Sequence, residues 1–342
     1  MRGSNFAFVP LALFTTTCLA SPFARPPPRD TAVSQLSSTQ FFSFPNNDQA
    51  ENIKPRSCGQ LLATVNTAPD LYQVNPFKNN TGGVVHSFSG YTSLFGMAET
   101  TTDLFYVIAG NYSMAPNYYG YAGTFSIFEV DLSGIADPTV DQSFTVTKIV
   151  DIPDAELLDG LAAVTNNILV TGDAQTGTIY TIDIASGTAT AVLQSALLNG
   201  TTADPAASLA HIGINGLKYH AGAIYYTNTA LFIEAKIPIN TATGVPTREP
   251  TTLTNYGTYT DELSFDRAGN QFVSTPLNGI VYQPAGTTSV NDSTLLVSLY
   301  GANSNAFGRT SADSCVLYST FDGVPSGIVK VDTNGQFCNG VY

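Results

Sequence analysis

The chain predicts an all-β fold: a six-bladed β-propeller of four-stranded antiparallel blades, closed by an N-terminal strand. Three observations carry this reading. A short triplet ending in a large apolar residue recurs six times, at Glu51-Asn52-Ile53, Phe95-Gly96-Met97, Asp159-Gly160-Leu161, Asn215-Gly216-Leu217, Asp261-Glu262-Leu263 and Asn305-Ala306-Phe307. Its copies lie roughly forty to sixty residues apart, a spacing typical of propeller blades. Each copy is followed by apolar stretches of strand length, and no amphipathic helix of useful length interrupts them.

The elements follow in order. Residues 1–20 read as a signal peptide, with Arg2 before an apolar run over residues 6–19 and a small residue closing Cys18-Leu19-Ala20. That run is too short to span a bilayer. Residues 21–38, with Pro26-Pro27-Pro28 and many Ser and Thr, read as a flexible leader. The propeller is assigned to residues 39–342. Each first strand begins at the leading residue of its triplet. Second strands are aromatic and β-branched runs at residues 61–64, 104–107, 168–171, 224–227, 272–275 and 316–319, which suits burial between blades. Third strands start near Gly, as in residues 178–183 and 328–332. More polar outer strands are expected at 84–88, 144–150, 189–193, 251–254 and 295–299. The last blade has no fourth strand after residue 332, and an uncovered strand edge invites aggregation. Gln40-Phe41-Phe42-Ser43-Phe44 is the segment expected to cover it.

The formal net charge is −13. That balance argues against nucleic acid and anionic membrane surfaces as partners. The expected partner is an apolar small molecule, and the chain is expected to act as a monomer. A removed leader implies a secreted or secretory-lumen protein. Cys58, Cys315 and Cys338 then allow one disulfide and one thiol, with the pairing open. Asn79, Asn111, Asn199 and Asn291 head N-x-Ser/Thr triplets and are the candidate glycosylation sites.

The repeat also locates the chemistry, because the leading residue of each triplet is brought to one axis. Glu51, Asp159, Asn215 and Asp261 are expected to converge at the upper mouth, with Asn305 and Phe95 completing the ring. Carboxylates so close cannot all stay ionised unless a cation sits among them or one takes up a proton. Oxygen ligands with an Asn carbonyl suit Ca²⁺, and Glu51, Asp159, Asn215 and Asp261 are the candidate ligands. The alternative is a trapped proton, which turns Asp159 or Asp261 into a general acid near neutral pH.

Links between second and third strands, and links between blades, should share the upper face. The link over residues 111–121 carries four Tyr, and the one from Asn199 to His211 is also long. Long aromatic loops on a rigid scaffold are frequent binding sites. Phe95, Met97, Tyr112, Tyr118, Tyr119 and Phe307 are therefore the candidate pocket wall, beside Asn215 and Asn305. His211 lies four residues before Asn215 and is the candidate catalytic histidine. His86 and His220 are expected to be structural, and Arg309 is expected to pair with a blade carboxylate.

Glu51-Asn52-Ile53, Asn215-Gly216-Leu217 and Asp261-Glu262-Leu263-Ser264-Phe265-Asp266 resemble the senescence-marker-protein/gluconolactonase superfamily. The resemblance implies a six-bladed propeller with a divalent metal held by Glu51, Asn215 and Asp261, the last serving as base. The second Asn of that pattern is Asp159 here, which adds a negative charge. Residues 50–53 and 61–64, Tyr106-Val107-Ile108-Ala109-Gly110-Asn111 and Ala306-Phe307-Gly308-Arg309-Thr310 are similar to secreted fungal propellers of secondary metabolism. That group includes hetero-Diels–Alderases that join a tropolone-type quinone methide to humulene. The resemblance implies an enzyme uniting a quinone methide with a terpene alkene, without a required cofactor. A Ca²⁺-dependent lactonase and a non-catalytic binding propeller are the alternatives.

Overall fold

The computed structural model describes residues 33–114, 118–200 and 209–339. The expected signal peptide and most of the expected leader lie outside the described residues. Six four-stranded antiparallel sheets account for the described chain, together with one small two-stranded ribbon. Its only helical turns among the described residues are two 3₁₀ segments, Pro45–Asn47 and Val290–Asp292.

Blade one comprises Ala50–Pro55, Leu61–Val65, Asp70–Val74 and Gly82–Ser87. Blade two comprises Ser93–Glu99, Leu104–Gly110, Phe125–Asp131 and Thr145–Ile152. Blade three runs through Leu158–Ala163, Ile168–Asp173, Thr178–Asp183 and Thr188–Gln194. Blade four is Ile214–His220, Ala223–Asn228, Ile233–Pro238 and Thr251–Asn255. Blade five is Leu263–Phe265, Gln271–Thr275, Gly279–Gln283 and Thr294–Ser298. Blade six joins Ala302–Phe307, Val316–Phe321 and Gly327–Asp332 to the N-terminal strand Thr39–Ser43. Thr39–Ser43 pairs antiparallel with Gly327–Asp332, so the two ends of the propeller sequence meet in one sheet as expected. Leu36, inside the expected leader, forms a parallel bridge to Val297 on the outer edge of blade five.

The layer between blades is dry. Ile53, Met97, Leu161, Leu217 and Leu263 are all at most 2% exposed. Each occupies the third position of its triplet, and burying such a side chain contributes roughly 1.5–3 kcal/mol. The glycines that precede three of them have a steric reason. A Cβ on Gly160 would stand 2.5 Å from the Asn215 carbonyl oxygen, and one on Gly216 would stand 2.5 Å from Glu262 Cα. Inner strands of neighbouring blades approach too closely there for any side chain. Gly160→Ala is therefore expected to cost about 1–3 kcal/mol of stability through overpacking, read as a lower urea midpoint at unchanged slope.

On the lower face Arg56 ties blade one to blade two. It is 1% exposed. Its guanidinium donates to Gln73 Oε1 at 2.6 Å and to the Ile135 and Leu132 carbonyls at 2.6 and 3.1 Å. Asp103 balances its charge at 3.5 Å. Cys315 and Cys338 form the disulfide, and Cys58 is a free, exposed thiol.

Candidate functional site

Five of the six inner strands carry a β-bulge near their start, and in blade five Asp261 and Glu262 precede the inner strand and exchange backbone hydrogen bonds with Ser274. Ala50 pairs with Val65 and Ile53 with Ala63, so Glu51 and Asn52 together oppose Thr64 alone. The same two-against-one step separates Leu94 from Met97, Leu158 from Leu161, Ile214 from Leu217 and Ala302 from Asn305. A bulge re-aims the side chain at the extra residue. Here it turns the leading residue of the triplet into the axial mouth. Threonines answer the amides that the bulge frees: Asn52 N–H donates to Thr64 Oγ1 and Ser304 N–H to Thr320 Oγ1, both at 3.0 Å.

This register corrects the sixth triplet. The first residue of the bulge is Asn303, and Asn305 takes the position that Ile53 and Leu217 fill elsewhere. A polar residue thus stands where the sequence pattern expects an apolar one. Its carboxamide is satisfied internally, donating to Ser274 Oγ at 2.9 Å and to the Phe272 carbonyl at 3.1 Å, while Ser264 donates to its oxygen.

One cavity of 270 Å³ opens at this mouth, near the small end for ligand sites. Glu51, Asp159, Asn215 and Asp261 line it together, with Phe95, Tyr112 and Tyr118. Met97 and Phe307 do not. Met97 is sealed between blades one and two, and Phe307 packs edge-on against Phe272 inside the sheet stack. Tyr119 points outward, 51% exposed. His211 does not line the cavity; its Nε2 lies 3.1 Å from the Tyr118 carbonyl, which ties the two long upper loops together. His220 stacks on Phe265 and Arg309 pairs with Glu99, away from the mouth. Of the sequon residues, Asn79 and Asn291 are exposed, whereas Asn111 and Asn199 are partly buried.

The cavity has members that the triplet pattern does not mark. Asn66, Thr229, Pro276 and Asp322 each directly follow the second strand of a blade, opposite the bulge. Met114, Leu157, Leu209 and Ile212 extend the apolar wall. The periodic signal for the first group was present, as a residue just past each β-branched run.

Burial dominates the electrostatics. It pushes the Glu51 carboxyl well above the usual range, helped by Asp159, Asp261 and Asp322, although Asn66 donates to Glu51 at 2.6 Å. Asp159 is pushed up to about 8 by burial and then by Glu262. Asp261 is raised well above its ordinary value by burial and by Asp159, and Asp322 to about 6 by burial. Below the mouth, Glu262 is fully buried between the Lys218 ammonium and the Asn52 amide, which donates to it at 2.8 Å. Burial and mutual repulsion thus favour the protonated forms of Glu51, Asp159 and Asp261 over three adjacent charges. Asn215 Oδ1 and one oxygen each of Asp261 and Asp322 have no hydrogen-bond partner. Such acceptors suit a hard cation, but among the described residues no three carboxylate, imidazole or thiolate groups gather to hold a metal ion.

No family model matches the chain. A Phoma sp protein named "Putative hetero-Diels-Alderase" is 28% identical over 335 residues, covering 88% of this chain and 91% of that protein. A Sarocladium schorii protein named "Putative hetero-Diels-Alderase asR5" is 24% identical, covering 84% of this chain and 79% of its own length. These relatives bear out the resemblance to hetero-Diels–Alderases drawn from residues 50–53, 61–64, 106–111 and 306–310. Among solved structures, a luciferin-regenerating enzyme superposes with a TM-score of 0.61 at 15% identity, covering 86% of this chain and 94% of its own. The calcium-binding protein regucalcin of Agrobacterium tumefaciens does so at 0.59 and 12%, covering 91% and 100%. At such identities these neighbours share the fold alone.

Proposed function

We propose that this protein is a hetero-Diels–Alderase-like enzyme that unites a quinone methide with a terpene alkene. The observation that carries the reading is a proton-holding carboxyl cluster directly beneath an aromatic wall, in one cavity. The two similar proteins named as hetero-Diels-Alderases support it. Asp159 lies in the blade that also supplies Leu157 to the apolar wall, so it meets both halves of the site. Its protonated carboxyl donates to the hydroxyl of a benzylic precursor. The C–O bond breaks, water departs, and the ring hydroxyl gives up its proton to an ionised neighbour such as Asp322, whose carboxyl is raised only to about 6. The quinone methide and alkene then close two bonds without further acid or base. Phe95, Tyr112 and Tyr118 hold the alkene against the diene, and proximity of this kind is worth up to about 7–11 kcal/mol.

The test is a single assay. Purified protein is incubated with a benzylic alcohol precursor and humulene, and the adduct is resolved on a chiral column. The expected result is one enriched stereoisomer, formed faster than in buffer and unchanged after EDTA and dialysis. A racemic product at the buffer rate would sink the proposal. A second reading rests on the unpartnered acceptor oxygens, which a Ca²⁺ ion would also satisfy. In that case a lactonase activity appears, lost to EDTA and restored by Ca²⁺.

A further inference from the structure

The cavity wall is divided by blade. Phe95, Tyr112, Leu157 and Ile212 come from blades two and three and the links that flank them, and they form an apolar side. Asn66, Asn303 and Asp322 come from blades one and six, which the ring closure places side by side, with Pro276, Leu277 and Tyr300 on the adjoining links. On this side the amide hydrogens of Asn66 and Asn303 that the structure assigns are already taken by protein acceptors.

Asn66 donates its amide to Glu51 at 2.6 Å. That fixes the orientation of the group and leaves Oδ1 buried with no partner, in a residue only 7% exposed. Asn303 donates to the Ala50 carbonyl at 2.8 Å and also bonds the Asp322 carboxyl. The Asp322 Oδ1 atom is likewise buried and unpartnered. Glu51 is close enough to Asp322 for their charges to interact, so the free acceptors form one neighbourhood. Gly301 is needed to shape it, because a Cβ there would collide with the Asp322 carbonyl. Buried acceptors without partners are costly, and a ligand relieves that cost only by bringing hydrogens. A carbonyl or ether oxygen brings none.

We propose that Asn66 and Asp322, held by Glu51 and Asn303, form a hydroxyl-recognising subsite that takes a phenol or diol and refuses its ether. Under the proposed function, on which this assignment of roles rests, the subsite seats the oxygenated reactant facing the aromatic wall. It thereby sets which face of the diene meets the alkene. The subsite binds the hydroxylated precursor in preference to the quinone methide, whose oxygens only accept.

The experiment uses 2-hydroxybenzyl alcohol and its dimethyl ether as probes, with binding to the full chain followed by ligand-observed NMR. The diol is expected to bind at least about tenfold tighter than the ether, the scale set by one buried acceptor left unpaired. Asn66→Ala is expected to weaken the diol about tenfold and leave the ether unchanged. Asp322→Asn presents an N–H to the cavity and is expected to improve ether binding, a gain that misfolding cannot produce. Thermal midpoints confirm that both variants fold. Equal affinity for the two probes, no diol binding, or discrimination that survives both substitutions would each overturn the proposal. Discrimination without any cycloaddition would leave the subsite standing and remove the Diels–Alderase reading. Cycloaddition with equal probe affinities would do the reverse.

Discussion

Asp159→Asn is expected to lower the rate of adduct formation from the benzylic precursor by about 10²–10⁴-fold, the usual contribution of a positioned general acid. The amide keeps the volume and can still donate a hydrogen bond, but it has no proton to transfer. The wild-type profile should be flat at neutral pH and fall about tenfold per unit above about 8, where the buried Asp159 carboxyl ionises. In Asp159→Asn that limb should disappear. The sign for stability is the same. Asp159 titrates at 3.8 when unfolded and about 8 when folded, so the folded state binds more protons between those values. Its contribution is fully present below 3.8 and is lost as pH rises through about 8. Thermal midpoints measured across pH 5–9 check this, and Asp159→Asn should flatten their decline.

Arg56→Met is expected to be the most destabilising single change, by about 3–5 kcal/mol, because it leaves Asp103 buried without its cation. It also frees the Leu132 and Ile135 carbonyls, both of which the guanidinium binds through Nη2. Arg56→Lys should recover little, since an ammonium cannot span those acceptors and Gln73 at once. Urea unfolding gives the loss in midpoint. Because Arg56 lies on the opposite face from the cavity, the folded fraction at low temperature should retain the wild-type rate per active molecule.

The fold was legible because its repeat is carried by burial. Each triplet ends in a residue that must fill the space between two blades, and each β-branched run fits a strand packed on both faces. The axial acids at 51, 159 and 261 were legible for the same reason, since the bulge sits at a constant distance from that buried residue. Blade six shows the limit. Its buried position holds Asn305, which Ser264 and Ser274 satisfy from the neighbouring blade, so the pattern shifted by two residues and Asn303 was passed over. Met97 was misplaced because plain alternation puts it on the face of Phe95, whereas the bulge turns it between blades; Phe307, two residues after Asn305, shares that inter-blade face. Asn66 and Asp322 went unseen because their role depends on pairing across the bulge, which no single stretch of sequence displays. Tyr119 shows the same limit for loops: an aromatic residue in a mouth-side link faces outward as readily as inward.

The junction between the N-terminal strand and the last blade has a consequence for biosynthesis. Asn303 reaches the Ala50 carbonyl across more than two hundred and fifty residues of chain, a contact that exists only once the ring is shut. The clasp of the circle thus runs through the working cavity. A nascent chain can order five blades and still lack one wall of its site, so competence arrives with the final fastening rather than growing blade by blade.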